Sequence, residues 1–417
     1  MFWEHWAGDV AKIVKSVKAE IEGLLQNDEA LKGLYQEFKK GMEASLNKKE
    51  MKDSDLVDML SQQVILAPIF EDLFENFKRN PMAKALEPIT KALSQRLEIE
   101  KDPVLSDLWS NVKQVSSYLK KHPDPNAKES LIRNFYNDFF NKAFKKEKKK
   151  NGVVYTPSQI VDFMLFETNK LLQEEFGEDF SSENTQILDP FSGTGTFVAR
   201  LIANKGLISG KALEAKYDTG IWANEILLVP YYIMSLVVQN AYEARRKAEG
   251  LEPEASCFKG ACFTDTFYSK EIAGTLINDP RFENNSATVK AEAKALINVI
   301  VSNPPYSSLN ENDRYPEIDE RIRNTYAKGI ESNNANTIFN AYLRAFRWAS
   351  DRIGDRGIIA FITPNAWITH KTFAGVRRSV AEEFNDIFVV NLRGDDIRHN
   401  TDDGGVKTYS IFKPQSP

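Results

Sequence analysis

Apolar residues recur at helical spacing through the first third of the chain. Val10, Ile13, Val14, Val17, Ile21, Leu24 and Leu25 form one stripe, and Leu66, Ile69, Phe70, Leu73, Phe74 and Phe77 form a second. Steps of three and four residues put such side chains on one face of a helix. Asn80-Pro81 and Glu87-Pro88 interrupt the pattern, as prolines do at helix starts. His122-Pro123-Asp124-Pro125 is a clean break, after which Leu131, Phe135, Phe139 and Phe140 open another amphipathic helix. Residues 1–150 therefore predict an all-α bundle of about five or six helices. That bundle holds no cluster of catalytic residue types.

Beyond residue 150 the texture changes to strands alternating with helices. The candidate strands are Gln186–Asp189, Ile221–Asn224, Val299–Ser302, Gly357–Thr363 and Ile387–Leu392. Helical patterns fill Pro157–Glu174, Phe197–Lys205, Val229–Ala248, Ile338–Arg352 and Gly375–Phe384. This alternation predicts an α/β fold with a doubly wound, mostly parallel sheet. Ligands of such sheets bind at the carboxyl ends of the strands.

A chain of 417 residues has room for two or three domains. Its 42% hydrophobic and 27% charged content is that of a globular protein and excludes wholesale disorder. No apolar run approaches the ~20 residues of a membrane helix. Met1 to Val10 lacks a charged stretch before an apolar core, so no secretory leader is expected. Cys257 and Cys262 cannot build a disulfide scaffold, and without neighbouring Cys or His they predict no metal site. A reducing, cytoplasmic setting follows. The net charge of −5 does not advertise a nucleic-acid binder. The run Lys145 to Lys150 reads either as a solvated helix end or as a phosphate-contacting stretch.

Two motifs carry chemistry. In Ile187-Leu188-Asp189-Pro190-Phe191-Ser192-Gly193-Thr194-Gly195-Thr196-Phe197 a strand ends at Asp189, a small-residue turn follows and a helix begins. Gly193 and Gly195 allow close backbone approach to a ligand. A dinucleotide fingerprint needs a third small residue where Val198 stands, and a P-loop needs Gly-Lys-Ser/Thr where Thr196 and Phe197 stand. An acid before the glycines suits a cofactor with a cationic amino-acid moiety, which S-adenosylmethionine has. The second motif, Ser302-Asn303-Pro304-Pro305-Tyr306, follows an apolar strand. Its prolines fix φ and present the Asn303 side chain and the Pro304 carbonyl as a rigid pair of acceptors. Such a pair suits a planar amino group conjugated to a ring or carbonyl, and Tyr306 offers a π-face to a base lifted from its stack.

Together these motifs resemble the gamma-class adenine-N6 DNA methyltransferases, in which the cofactor motif precedes the catalytic Asn-Pro-Pro-Tyr. Val154-Tyr155-Thr156-Pro157 is similar to that group's upstream cofactor-side motif. More narrowly, Gly152–Pro157, Asp265-Thr266-Phe267, Asn303–Ser307, Ile338–Ile353 and Gly375 through Gly394 resemble the methyltransferase part of the type ISP restriction–modification enzymes, over more than half of the chain. The resemblance implies a Rossmann-like class I methyltransferase domain over residues 151–417, preceded by a helical, coupler-like domain over 1–150.

It also implies roles. Tyr155, Thr156 and Pro157 would line the methionine side of S-adenosylmethionine, and Asp189, Phe191, Gly193 and Gly195 would hold its amino-acid part. Glu225 would accept from the ribose hydroxyls, and Asp265, with Phe267 beside it, from the cofactor's adenine N6. Asn303, Pro304, Pro305 and Tyr306 would serve the target adenine. The expected partner is double-stranded DNA, not a membrane. The family carries a nuclease and helicase motor upstream and a long target-recognition domain downstream. With the chain stopping at Pro417, no such C-terminal domain is expected. A fragment or a subunit needing a separate recognition or helicase/nuclease partner is expected instead. A methyltransferase of RNA or of a protein amide nitrogen, and a non-catalytic subunit of a restriction complex, are the competing expectations.

Overall fold

In the computed structural model the described residues are 2–46, 48, 50–74, 77–121, 156–252, 257–268, 280–306, 315–328 and 335–392. The predicted helix after His122, the basic run Lys145–Lys150, Tyr155 and everything from Arg393 onward lie outside them.

The front of the chain contains five α-helices among the described residues: α1 Phe2–Asn27, α2 Glu29–Ser45, α3 Asp53–Leu73, α4 Pro81–Leu97 and α5 Pro103–Lys121. The starts of α2, α4 and α5 follow from side chains that satisfy the orphan N–H groups of a first turn. Asp28 accepts from Leu31 N, Asn80 from Met82 N and Ala83 N, and Asp102 from Val104 N and Leu105 N. The first stripe buries Val10, Val14, Val17 and Ile21. The second runs off the end of α3, so Phe74 caps the helix and Phe77 sits in a following 3-10 turn, both buried.

Glu87-Pro88 does not start a helix; Pro88 lies inside α4. It removes one helix hydrogen bond. The buried row Leu86, Ile89 and Leu93 carries the helix across the gap.

The second part adds α6 Ser158–Phe176, β1 Ile187–Asp189, α7 Thr196–Ala203, β2 Ile221–Glu225, α8 Leu228–Ala248, β3 Ala261–Phe263, α9 Glu283–Lys294, β4 Val299–Ser302, α10 Pro316–Asn324, α11 Ala341–Arg352, β5 Ile358–Phe361 and α12 Ala374–Glu383. The strands form one parallel sheet in the order β3-β2-β1-β4-β5. Side chains alternate between its faces. Ile187, Ala223, Phe263, Val299 and Val301 join the core that contains α6, α7, α8 and the helical front. Leu188, Trp222, Cys262 and Ile300 join a second core under α9 to α12. Apolar cover on both faces is the doubly wound arrangement.

The helical front is packed on α8. Tyr232 meets the rings of Phe70 and Phe77 edge-on at 6.0 and 5.0 Å, and Arg281, ahead of α9, pairs with Glu37 of α2 at 2.8 Å.

The expected strand Ile387–Leu392 is not one. The segment makes no strand ladder, and Ile387, Phe388, Val389, Val390 and Leu392 are exposed. Its apolar composition suits a buried strand, but a strand needs a hydrogen-bonded neighbour, and β5 remains the sheet's edge.

Candidate active site

The carboxyl ends of four neighbouring strands converge on one rim. Asp189 ends β1, Glu225 ends β2, Asp265 follows β3 by one residue pair, and Asn303 follows β4. Parallel pairing brings these ends together: Asp189 faces Ala223, Glu225 faces Phe263 and Leu188 faces Ile300.

Asp189 is buried. Its Oδ1 accepts from Ser302 Oγ at 2.6 Å and from Phe191 N at 3.3 Å. Burial pushes its carboxyl up to about 7, although the bonds from Ser302 and Phe191 pull the other way. The turn after it is held by Ser192, whose N–H donates to the Asn224 carbonyl and whose hydroxyl donates to the Asp189 carbonyl. Gly193 and Gly195 take φ of +54° and +81°. Those values are costly for any residue with a Cβ. At Gly195 a Cβ would also stand 2.9 Å from Met234 Cγ and 3.1 Å from Met234 Cα, so α8 lies directly against the bend.

Glu225 draws the glycine bend toward β2. Its Oε2 accepts from Gly193 N at 2.9 Å and its Oε1 from Leu227 N at 2.7 Å. Burial pushes this carboxyl up to about 8; the backbone N–H groups lower it and the nearby Asp189 charge raises it.

Asp265 is also buried. It accepts from Phe267 N at 3.2 Å and from the Tyr315 hydroxyl at 3.0 Å. Phe267 packs edge-on against Tyr315 at 4.7 Å and, with its ring tilted, against Phe191 at 5.5 Å, so the two aromatic residues of the rim touch. Thr266 donates its hydroxyl to the Pro190 carbonyl, tying the β3 turn to the β1 turn.

At the double-proline corner, Asn303 Nδ2 donates to Thr156 Oγ1 at 2.9 Å. The Tyr306 hydroxyl donates to Asn303 Oδ1 and lies 3.0 Å from the Ile362 carbonyl. Burial raises the Tyr306 phenol above its ordinary value. Thr156 is buried and Pro157 caps α6, so the start of α6 lies against this corner. Tyr306, Thr363 and Trp367 also line a groove of about 1310 Å³ along the β5 edge.

Asp189, Phe191, Gly193, Gly195, Glu225, Asp265, Phe267, Thr156, Pro157 and the Asn303–Tyr306 corner are thus assembled at one end of the sheet. Sequence reasoning did not single out Ser302, Tyr315 or the Ile362 carbonyl. Ser302 had a signal, as a hydroxyl one residue before the corner. Tyr315 had none, because its place on Asp265 depends on packing between distant segments. Among the described residues, no cluster of His, Cys, Asp and Glu could hold a metal ion, and no helix is long and apolar enough to cross a membrane.

Residues 2–124 match the family of the Type ISP restriction-modification enzyme coupler domain. Residues 255–397 match the Eco57I restriction-modification methylase family, a match that implies a methyl donor. No curated protein sequence matches the chain. Among solved structures, the chain is similar to the ATP-dependent Type ISP restriction-modification enzyme LlaBIII bound to DNA, with 31% identity and a TM-score of 0.79 over 91% of this chain and 26% of that one. A nuclease-deletion mutant of the Type ISP enzyme LlaGI, in complex with a DNA substrate mimic, gives 29% identity and a TM-score of 0.79 over 92% and 31%. The DrdV–DNA complex gives 25% identity and a TM-score of 0.77 over 92% and 37%. The chain spans about a quarter to two fifths of the length of these structures. Within that span it is similar to the coupler plus methyltransferase part of Type ISP enzymes, as its motifs implied.

Proposed function

We propose that this chain holds the cofactor and transfer centre of a restriction–modification DNA methyltransferase that methylates adenine at N6. The observation that carries the reading is the shared rim. Three buried acids at successive strand ends stand beside an acceptor corner, and Ser302 bonds directly to Asp189. The matches to a methylase family and to DNA-bound Type ISP structures support it. On this reading residues 1–150 form a coupler-like helical domain and residues 151–417 the methyltransferase domain.

The rim fits S-adenosylmethionine. Asp189 Oδ2 is buried without a hydrogen-bond partner, which suits an ammonium group. Glu225 and Asp265 offer acceptors one and two strands further along, for a ribose diol and an exocyclic amine. When bound, the cofactor supplies a methyl group on a sulfonium. Phe191, Gly193 and Gly195 shape the seat beside Asp189, Phe267 adds an apolar wall, and Thr156 and Pro157 lie on the methionine side.

The chain's own work is at the corner. Asn303 Oδ1 and the Pro304 carbonyl accept the two hydrogens of the target amine, and Pro305 holds the turn rigid. The amine nitrogen would become positive as its bond to the methyl forms and the methyl's bond to sulfur breaks, and would shed one of its protons to solvent afterwards; while it is positive each acceptor makes a hydrogen bond to a charged group, worth roughly 1.5–3 kcal/mol. Holding both reactants in line contributes more, about 7–11 kcal/mol. Tyr306 stacks on the flipped base.

The test uses the purified chain, tritiated cofactor, and unmethylated DNA, RNA and ribosome-associated protein as acceptors. Label on DNA adenine that disappears in Asn303→Ala is expected. Label on RNA or protein alone would replace the reading with the second class of methyltransferase, and cofactor binding without label on any acceptor would replace it with a non-catalytic subunit.

A further inference from the structure

We propose that Lys328, Lys371 and Arg378, beside the double-proline corner, form a docking surface for the phosphate backbone of duplex DNA. The inference rests on the reading of that corner as the seat of a flipped base, because a base held there brings its own strand across the adjoining rim. The surface is joined to the corner through bonded residues. The Tyr306 hydroxyl lies 3.0 Å from the Ile362 carbonyl. One residue on, Thr363 Oγ1 accepts from Trp367 Nε1 at 2.9 Å. The carbonyls of Trp367 and His370 both accept from Arg377 Nη1, at 2.7 and 2.9 Å. Arg377 thereby staples the segment after β5 to α12. The next residue, Arg378, donates from Nη2 to the Lys328 carbonyl at 2.9 Å, which sets the two cations side by side.

Charge sets this surface apart from the rest of the domain. Arg200, Arg321, Arg344, Arg347 and Arg356 each meet a carboxylate. Among the described residues no carboxylate pairs with Lys328, Lys371, Arg377 or Arg378. The bonds that Arg377 and Arg378 make go to neutral carbonyls, so their charge is left uncompensated. Lys328, Lys371 and Arg378 are exposed, while Phe373 and Val376 beneath them are buried in the second core. The cations therefore stand on a packed base. Like charges side by side repel, a cost that interleaved acids would avoid and that a bound anion recovers. The chain as a whole carries a net charge of −5 and repels DNA. Attraction to a polyanion then has to come from a local cluster such as this one. The remaining donors of the Arg378 fork suit a phosphate, and contacts of this kind position a duplex without reading its bases.

The test is fluorescence anisotropy of the full chain on labelled duplexes of unrelated sequence, over a range of salt concentrations. Lys371→Gln with Arg378→Gln removes two positive charges and should weaken binding about tenfold, alike on every duplex. The slope of log affinity against log salt should become shallower by about 1.8, for the counterions of two phosphates. Lys328→Gln by itself should make it shallower by about 0.9. Lys371→Arg with Arg378→Lys keeps both charges and should keep the wild-type slope. Lys205→Gln with Lys211→Gln makes the same change of net charge beyond α7, at the other end of the sheet, and should leave the slope unaltered. An unaltered slope in the first pair, an equal fall in the Lys205 pair, a loss on RNA without one on duplex DNA, or no binding of duplex DNA by the wild-type chain would each overturn the inference. Methyl transfer is read separately. A chain that binds DNA through these residues and labels no acceptor defeats the proposed function and leaves the docking surface standing. A chain that methylates adenine while the variants keep the wild-type slope does the reverse.

Discussion

The Ser302 hydroxyl donates to Asp189 Oδ1 at 2.6 Å across the β1–β4 pair. One bond therefore links the acid that ends β1 to the residue preceding Asn303. Both groups are buried, so the bond is shielded from water. The seat of the donor and the corner of the acceptor share a rigid wall, and their separation is fixed by strand spacing rather than by loops.

The first consequence concerns pH. Asp189 is raised from 3.8 to about 7 by burial. Between those values the folded chain holds a proton that the unfolded chain has lost, so folding stability falls as pH rises through that window. A cationic ligand beside Asp189 favours the carboxylate, so cofactor affinity should rise from about pH 5.5 to about pH 7.5 with release of a proton. Calorimetry in buffers of different ionisation enthalpy measures both. Asp189→Asn should abolish the proton release and weaken binding about tenfold to a hundredfold; unchanged affinity would remove Asp189 from the cofactor seat.

Gly195→Ala should destabilise the chain by about 1–3 kcal/mol. The cost has two sources, the φ of +81° and the approach to Met234. Thermal unfolding reads the stability loss. Cofactor affinity should fall in parallel, because the bend itself shifts.

The Tyr315 hydroxyl occupies Asp265 Oδ2, on the acid assigned to the cofactor's adenine amine. Tyr315→Phe removes that donor and keeps the ring against Phe267. Cofactor affinity is expected to rise about three- to tenfold. A fall in affinity would mean that Tyr315 orients the carboxylate instead of competing for it.

Arg344 of α11 and Asp319 of α10 form a buried pair at 2.7 Å, with side chains 5% and 4% exposed. Asp319→Ala leaves a buried guanidinium without its carboxylate and should cost about 3–5 kcal/mol in chemical denaturation. Replacing both by apolar residues of similar volume should recover most of that loss. A single variant with wild-type stability would show that water reaches the pair.

Much of the architecture was legible in the sequence because burial on two faces leaves a plain trace. Val299-Ile300-Val301 can only be an inner strand, and the stripe from Val10 to Ile21 matches the buried side of α1. Elements whose burial depends on context were not legible. β3 is the three residues Ala261–Phe263, too short to show a period. α9 is polar, with Val289 its one large buried aliphatic, and α10 buries two aliphatics, Ile318 and Ile322, together with the charged Asp319. Ile387–Leu392 failed in the opposite sense, because apolar residues cannot specify a ladder without a partner strand. The rim was legible where a reactive residue type follows a strand, as at Asp189, Glu225 and Asn303. Contacts between segments far apart in sequence, such as Thr156 with Asn303 and Tyr315 with Asp265, leave no local pattern.

Phe77 is buried between Phe70 and Tyr232 and belongs to the same continuous core as the strand residues Ile187 and Val299. The bundle is thus no detachable appendage. Cutting the chain near residue 150 would strip a large oily face from α8, the helix that backs the glycine bend, so the C-terminal piece expressed by itself would tend to clump rather than fold.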